Sequence, residues 1–208
     1  MKLKQCGWLL SALVGLALSA SQASANLLAN PGFESPITMD GAPFVGFWES
    51  FNGGAGSSAV ISTVMPRTGA QHLDGTISNV NNTFAGVFQD VEGLVPGQTG
   101  VWSVWQKRTT PLDLDVEMRI EWRKVGQAAE VARTPNFVPT ADITEQYKKF
   151  SIAGVVPAGA DTARVVWAIQ TFSGGAGNTG LECNFLDATD GWQLPIPRRI
   201  TLSTRVSF

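Results

Sequence analysis

Residues 112–123 alternate without a fault between apolar and polar side chains, and that constrains the fold more than any other feature of the chain. Leu112, Leu114, Val116, Met118, Ile120 and Trp122 hold the even positions. Asp113, Asp115, Glu117, Arg119, Glu121 and Arg123 hold the odd ones. Strict period two is the geometry of a β-strand, whereas a helix of 3.6 residues per turn would scatter both sets around its surface. The spacing therefore predicts one long strand over 112–125, with an apolar side that needs a second layer to cover it.

Further segments read the same way. The sequence predicts strands at 59–64, 83–91, 101–107, 147–156, 163–171 and 180–188. In 83–91, Phe84, Gly86 and Phe88 share one side, and Ala85, Val87 and Val91 the other. Trp102 and Trp105 have opposite parity on one strand, so only one of them can enter the core. Glycine-rich stretches at 52–58 and 173–180 read as loops, and no long helical period is visible. Several short strands with turn signals between them predict an all-β sandwich or barrel.

The two ends differ from this middle. Lys2 and Lys4 precede an apolar run from Trp8 to Ala20, and Ala23 and Ala25 make an A-x-A pattern. This reads as a signal peptide over residues 1–25, cleaved before Asn26, in a secreted or cell-surface protein. Removing Lys2 and Lys4 takes the 15 basic residues to 13 against 17 acidic, a net charge of −4. With no basic cluster, nucleic acid is not an expected partner. No later segment is apolar enough for a transmembrane helix after signal cleavage. Cys6 leaves with the signal, so Cys183 has no partner for an internal disulfide and reads as a small core residue. Residues 189–208 form an atypical tail with two prolines and no clear strand partner.

The predicted domain, residues 26–188, opens with "NLLANPGFESP". This start resembles the N-terminal strand of jelly-roll carbohydrate-binding modules of the cellulose- and xylan-binding type, within the galactose-binding-like superfamily. The likeness continues in order through "GFWESFNGG", "RTGAQHLDG", "VFQDVEGLVPGQTGVWSVWQKR" and "ITEQYKKFSIAGVVPAGADTARVVWAI". Many exported relatives, especially in bacteria, end in a C-terminal sorting signal, and "PIPRR" without an apolar helix departs from that pattern. The resemblance implies an antiparallel two-sheet β-sandwich. It also implies a structural calcium held by Glu34 of "NPGFE" and Asp187 of "NFLDA", where Ala188 replaces a second acid. The alternative is that Glu34 and Asp187 are ordinary surface acids.

The odd-numbered acids of the long strand admit three readings. Neighbours on one strand face lie about 7 Å apart, and a glycosidase needs two carboxylates about 5 to 10 Å apart. A glycosidase or lyase using 113–121 is therefore geometrically allowed. Arg119 and Arg123 share that face, however, and cations oppose the raised pKa a proton donor needs. The mixture predicts a solvated strand face, with sugar hydrogen bonding by a few of its side chains as a further alternative. His72 is the only histidine and reads as structural, and no His/Cys cluster suggests zinc.

Sugar rings present flat C–H faces that aromatic side chains match. Trp122 continues an apolar strand face and is expected in the core. Trp48 and Phe51 flank glycines, where they either contact ligand or cap the sandwich. Trp48, Trp105 and Tyr147 are the expected sugar platforms, with Gln106 and Arg108 as hydrogen-bonding neighbours. The leading expectation is an exported, non-catalytic module for a polysaccharide or cell-surface glycan, or for adhesion. The other two are the enzyme above and a structural surface protein that binds no sugar.

Overall fold

A computed structural model describes residues 26–177 and the backbone of 181–184. The expected signal peptide, Asp187 and the tail 189–208 lie outside these residues. The described residues contain ten strands: β1 (Glu49–Asn52), β2 (Ser57–Ser62), β3 (His72–Ile77), β4 (Phe84–Glu92), β5 (Thr99–Arg108), β6 (Asp115–Arg123), β7 (Glu130–Arg133), β8 (Lys148–Val155), β9 (Thr162–Gln170) and β10 (Leu181–Asn184). They form two five-stranded sheets. Sheet A runs β1-β4-β9-β6-β7 and sheet B runs β2-β3-β10-β5-β8, with every strand pairing antiparallel. Sequence-distant strands sit side by side, as in β4 beside β9 and β10 between β3 and β5. The architecture is the all-β, antiparallel, jelly-roll sandwich that the alternating strands and the N-terminal resemblance lead one to expect.

Alternation decides which side of each strand enters the sandwich. Val116, Met118, Ile120 and Trp122 of β6 are buried, as are Ala85, Val87 and Val91 of β4 and Ala163, Val165, Trp167 and Ile169 of β9. Sheet B contributes Leu73, Ile77, Trp102, Val104 and Phe150. The two largest inward rings from sheet A need space in the opposite layer, and glycines supply it. A Cβ added at Gly75 would stand 2.4 Å from Trp167, and one at Gly154 would stand 2.7 Å from Trp122. Trp167 also donates its indole N–H to Gln106 Oε1 at 3.0 Å, which satisfies a polar atom inside the core.

The N-terminal segment is tied to this core through the residues of its motif. Gln89 Nε2 donates to the Ala29 carbonyl and Gln89 Oε1 accepts from the Ala29 N–H. Asn30 closes the turn through both backbone groups of Ser35. Phe33 adopts φ +59°, an uncommon conformation for an aromatic residue. Its fully buried ring packs 5.2 Å from that of Trp48.

The ionic face of β6 departs from expectation. Glu117 and Glu121 are 6% and 4% exposed, so the odd positions do not form a solvated face. β6 is an interior strand: β9 flanks it on one side, and β7 with residues 134–137 covers the other. On its outer face Arg119 and Arg123 lie against Glu117 and Glu121 and shield them. The strand also begins at Asp115, because Asp113 binds the loop 175–177.

Gly75→Ala should destabilise the fold by about 1–3 kcal/mol, since the rigid Trp167 ring has no room to yield. Denaturant unfolding measures this, and an unchanged midpoint would show that the sheets are not interlocked there.

Candidate functional site

The outer face of sheet A is a groove with two unlike walls. Its apolar wall is built from β1, β4 and the flanking loops. Phe44 and Phe88 have ring centroids 5.0 Å apart, Phe88 and Phe51 6.0 Å, Phe51 and Phe84 5.9 Å, and Phe84 and Phe172 5.8 Å. The five rings form a continuous ladder along about 20 Å of strand. Gly86 seats the middle of it, because a Cβ there would come within 2.6 Å of the Phe51 ring. Phe172 is 56% exposed and stands at one end.

The floor is β9, where the short side chains Val166 and Ala168 are buried. The second wall is the odd face of β6. Arg119 binds Glu117 through Nη1 and Glu121 Oε1 through Nε, the latter at 2.7 Å. Arg123 Nη2 reaches Glu121 Oε2 at 2.6 Å and lies 3.6 Å from Glu130. Carboxylate and guanidinium thus alternate along the wall, each charge facing its opposite. The Phe and ionic walls lie two strand spacings apart, about 10 Å. Between them are two depressions of about 180 and about 200 Å³, which share Phe51 and Arg119.

Arg164 closes the arrangement. It forms a bidentate pair with Asp90, at 2.7 and 3.0 Å, while its guanidinium lies 4.1 Å from the Phe88 ring centroid and 4.7 Å from that of Phe44. Beyond it the groove continues into a depression lined by Phe44, Glu92, Arg123 and Gln127.

Burial by itself raises the pKa of Glu121, but hydrogen bonds from Arg123 and the charge of Arg119 outweigh it, and the net shift is downward. Glu121 is therefore held ionised and does not serve as a proton donor near neutral pH. What remains for a ligand is a set of hydrogen-bonding atoms: Arg119 Nη2, Arg164 Nη1 and the Gln170 amide as donors, and Glu117 Oε2 as an acceptor. Asp113 and Asp115, the other acids of the row, act elsewhere. Asp113 Oδ2 accepts from the Ala176 N–H at 2.9 Å and Asp115 accepts from Ser173 Oγ, fixing the glycine-rich loop beside Phe172.

The residues expected as sugar contacts are brought together only in part: two are core residues, and Trp105 and Tyr147 share the outer face of sheet B. Trp48 is fully buried and donates its indole N–H to the Asn30 carbonyl, so it is a core residue; flanking glycines mimic an exposed loop in the sequence. Gln106 is also fully buried, because it has the inward parity of Trp102 and Val104. Trp105 is half-buried on the outer face of sheet B, with the Arg67 guanidinium 3.8 Å from its ring. On that same face Lys107 lies 5.1 Å from the Tyr147 ring. Arg108, of the opposite parity at the end of β5, pairs with Glu145 at 3.2 Å. Phe84 and Phe88 share a face as expected from parity. Phe172 and the side-by-side placement of β4, β9 and β6 have no local sequence signal.

For calcium, the described half of the expected pair is Glu34. Its Oε1 accepts backbone N–H groups from Ala70 at 3.0 Å and Gln71 at 3.3 Å. Among the described residues no three His, Cys, Asp or Glu side chains cluster.

No family model matches the chain, and no curated protein matches it. Solved structures do. The enzymatically active domain of bacteriophage CBA120 tailspike protein 4 matches with a TM-score of 0.57 and 14% identity, over 82% of this chain and 22% of that one. A family 16 carbohydrate-binding module matches with a TM-score of 0.50 and 19% identity, over 76% and 96% of the two chains. The CBM22-1 xylan-binding domain of Xyn10C from Paenibacillus barcinonensis matches with a TM-score of 0.50 and 14% identity, over 84% and 96%. The fold is the jelly-roll β-sandwich of carbohydrate-binding modules.

The lowered Glu121 pKa fixes the sign of a pH effect. Its ion pairs stabilise the fold above the ordinary glutamate value of 4.5, and that contribution is lost as pH falls through the lower folded value. Glu121→Gln should cost about 3 kcal/mol at neutral pH, and its melting temperature should fall less than the wild type's on acidification below 4.5. Parallel acid profiles for the two proteins would contradict the network.

Proposed function

We propose that the chain is a non-catalytic carbohydrate-binding module and that its ligand is a polysaccharide or cell-surface glycan lying along the groove of sheet A. The observation that carries this reading is the pairing of a five-ring Phe ladder with an ionic ladder across a floor of small residues. A sugar chain offers C–H faces to the rings and hydroxyl groups to Arg119, Gln170 and Glu117. The guanidinium and carboxylate groups already pair with one another, so they meet the ligand in fixed positions and lose little freedom on binding. The same pairing disfavours bond cleavage, since Arg119 sits between the two buried glutamates. Carbohydrate-binding modules among the fold's neighbours support the reading, and the xylan-binding domain is one of them.

Both walls run along the strands, so the ligand should too. A glycan array with the full chain, followed by calorimetry on one hit, tests this. Phe51→Ala and Phe84→Ala should each weaken binding about tenfold. Phe44→Ala and Phe172→Ala, at opposite ends of the ladder, should both weaken a long oligosaccharide, whereas a short one should lose affinity to only one of them. No binding across the array, or binding indifferent to all four changes, would remove the proposal. Release of reducing ends that Glu117→Gln abolishes would instead favour the glycosidase reading.

Calcium held by Glu34 and Asp187 is a separate proposal that rests on the N-terminal motif alone. With calcium bound, a chelator should lower the melting temperature by several degrees. No change would leave Glu34 as a clamp on the 70–71 amides.

A further inference from the structure

An arginine recognises a carboxylate or sulfate through two parallel N–H groups on one edge of its guanidinium. Each guanidinium has two such edges, one formed by Nε and Nη2 and the other by Nη1 and Nη2. Along the groove of sheet A, every edge of Arg119, Arg123 and Arg164 already holds a bonded nitrogen. Arg164 commits Nε and Nη2 to Asp90. Arg123 gives Nη2 to Glu121 and Nη1 to the Ala128 carbonyl. Arg119 gives Nε to Glu121 and Nη1 to Glu117. What Arg119 keeps for a ligand is Nη2, a single nitrogen, which suits the one oxygen of a hydroxyl better than the paired oxygens of an acid.

Charge points the same way. Among the described residues that line the depressions of the groove, the three guanidiniums are those of Arg119, Arg123 and Arg164. Against them stand four carboxylates, those of Asp90, Glu92, Glu117 and Glu121, so negative charge is in excess by one. The paired acids differ in what they have left for a ligand. Asp90 and Glu121 each bond to arginine through both oxygens. Glu117 bonds Arg119 through Oε1 and lines the depression beside Phe84 and Gln170. Its Oε2 is left as an acceptor on the same ion pair.

Taking the groove as the glycan site, a reading on which this rests, we infer that Glu117 sets its charge selectivity. By holding Arg119 and presenting a negative oxygen beside it, Glu117 excludes glycans that carry carboxylate or sulfate groups. A hydroxyl meets the Glu117–Arg119 pair in both of its roles, accepting from Arg119 Nη2 and donating to Glu117 Oε2. An ionised acid accepts from Arg119 but has no hydrogen to give Glu117, and its charge faces a like charge. To bond two nitrogens on one edge of Arg119, it has to displace a glutamate. That leaves a buried carboxylate without its partner, which is costly.

Calorimetry on the full chain, at low and high salt, tests the role of Glu117. The probes are neutral hexasaccharides of glucose, mannose, galactose and xylose, each beside a counterpart that bears carboxylates. The wild type should bind at least one neutral member about tenfold tighter than its acidic counterpart. Added salt should leave the neutral affinity unchanged and narrow the gap, because screening relieves repulsion. Glu117→Gln keeps the shape and removes the charge, and it should shift the preference toward the acidic member by about tenfold. Glu117→Asp, which retains the charge, should keep the wild-type preference. An acidic member that binds the wild type as tightly as the neutral one, or that loses affinity as salt is added, overturns the role of Glu117 and leaves the groove as a glycan site. So does a Glu117→Gln protein with the wild-type preference. Silence from every hexasaccharide removes the groove reading itself. If Glu117→Gln fails to fold, the wild-type preference and the sign of its salt dependence decide the question.

Discussion

Strand β6 is buried on both sides, and the site follows from how its two faces meet that condition. The inward face does so with hydrocarbon: Val116, Met118, Ile120 and Trp122 fill the space between the sheets. The outward face carries charge, and buried charge is tolerated only when paired and hydrogen-bonded. Glu117, Arg119, Glu121 and Arg123 meet this by alternation, each guanidinium between two carboxylates or between a carboxylate and a backbone carbonyl. The result is a wall that is polar without net charge and fixed without bound ligand.

The aromatic wall depends on small residues as much as on rings. Val166 and Ala168 keep the floor low, and Gly86 lets the Phe51 ring rest against β4 and β9. Arg164 joins the two walls, stacked on Phe44 and Phe88 and paired with Asp90. Inside the sandwich the same device appears at Gly75 and Gly154, which admit Trp167 and Trp122. Large rings opposite glycines thus set both the spacing of the layers and the shape of the groove.

Much of the fold is legible from period-two alternation. It places Trp122 in the core, separates Trp102 from Trp105 and puts Phe84 with Phe88. Gln106 shares the parity of Trp102, so its burial follows from the same rule, although its amide makes it look like a ligand contact. Trp48 misleads because a turn rich in glycine resembles an exposed loop, while Asn30 and Phe33, far behind it in the chain, bury it. The covered ionic face is the larger departure. Parity gives the side on which Glu117 and Glu121 project, but their burial comes from β7 and β9 lying on either side of β6 and from the paired Arg119 and Arg123. Those neighbours are fixed by jelly-roll strand order, which local pattern does not encode. Phe172 joins the ladder for the same reason, through β9 lying beside β4 and through Asp113 and Asp115 holding the loop that follows.

Amide chemical-shift mapping with a glycan that the full chain binds tests the central claim most directly. The account predicts shifts concentrated on β4, β9 and β6, running from residues near Phe172 to those near Arg164, with the side-chain signals of Arg119 and Gln170 moving and sheet B little changed. Shifts confined to sheet B, around Trp105 and Tyr147, would contradict it.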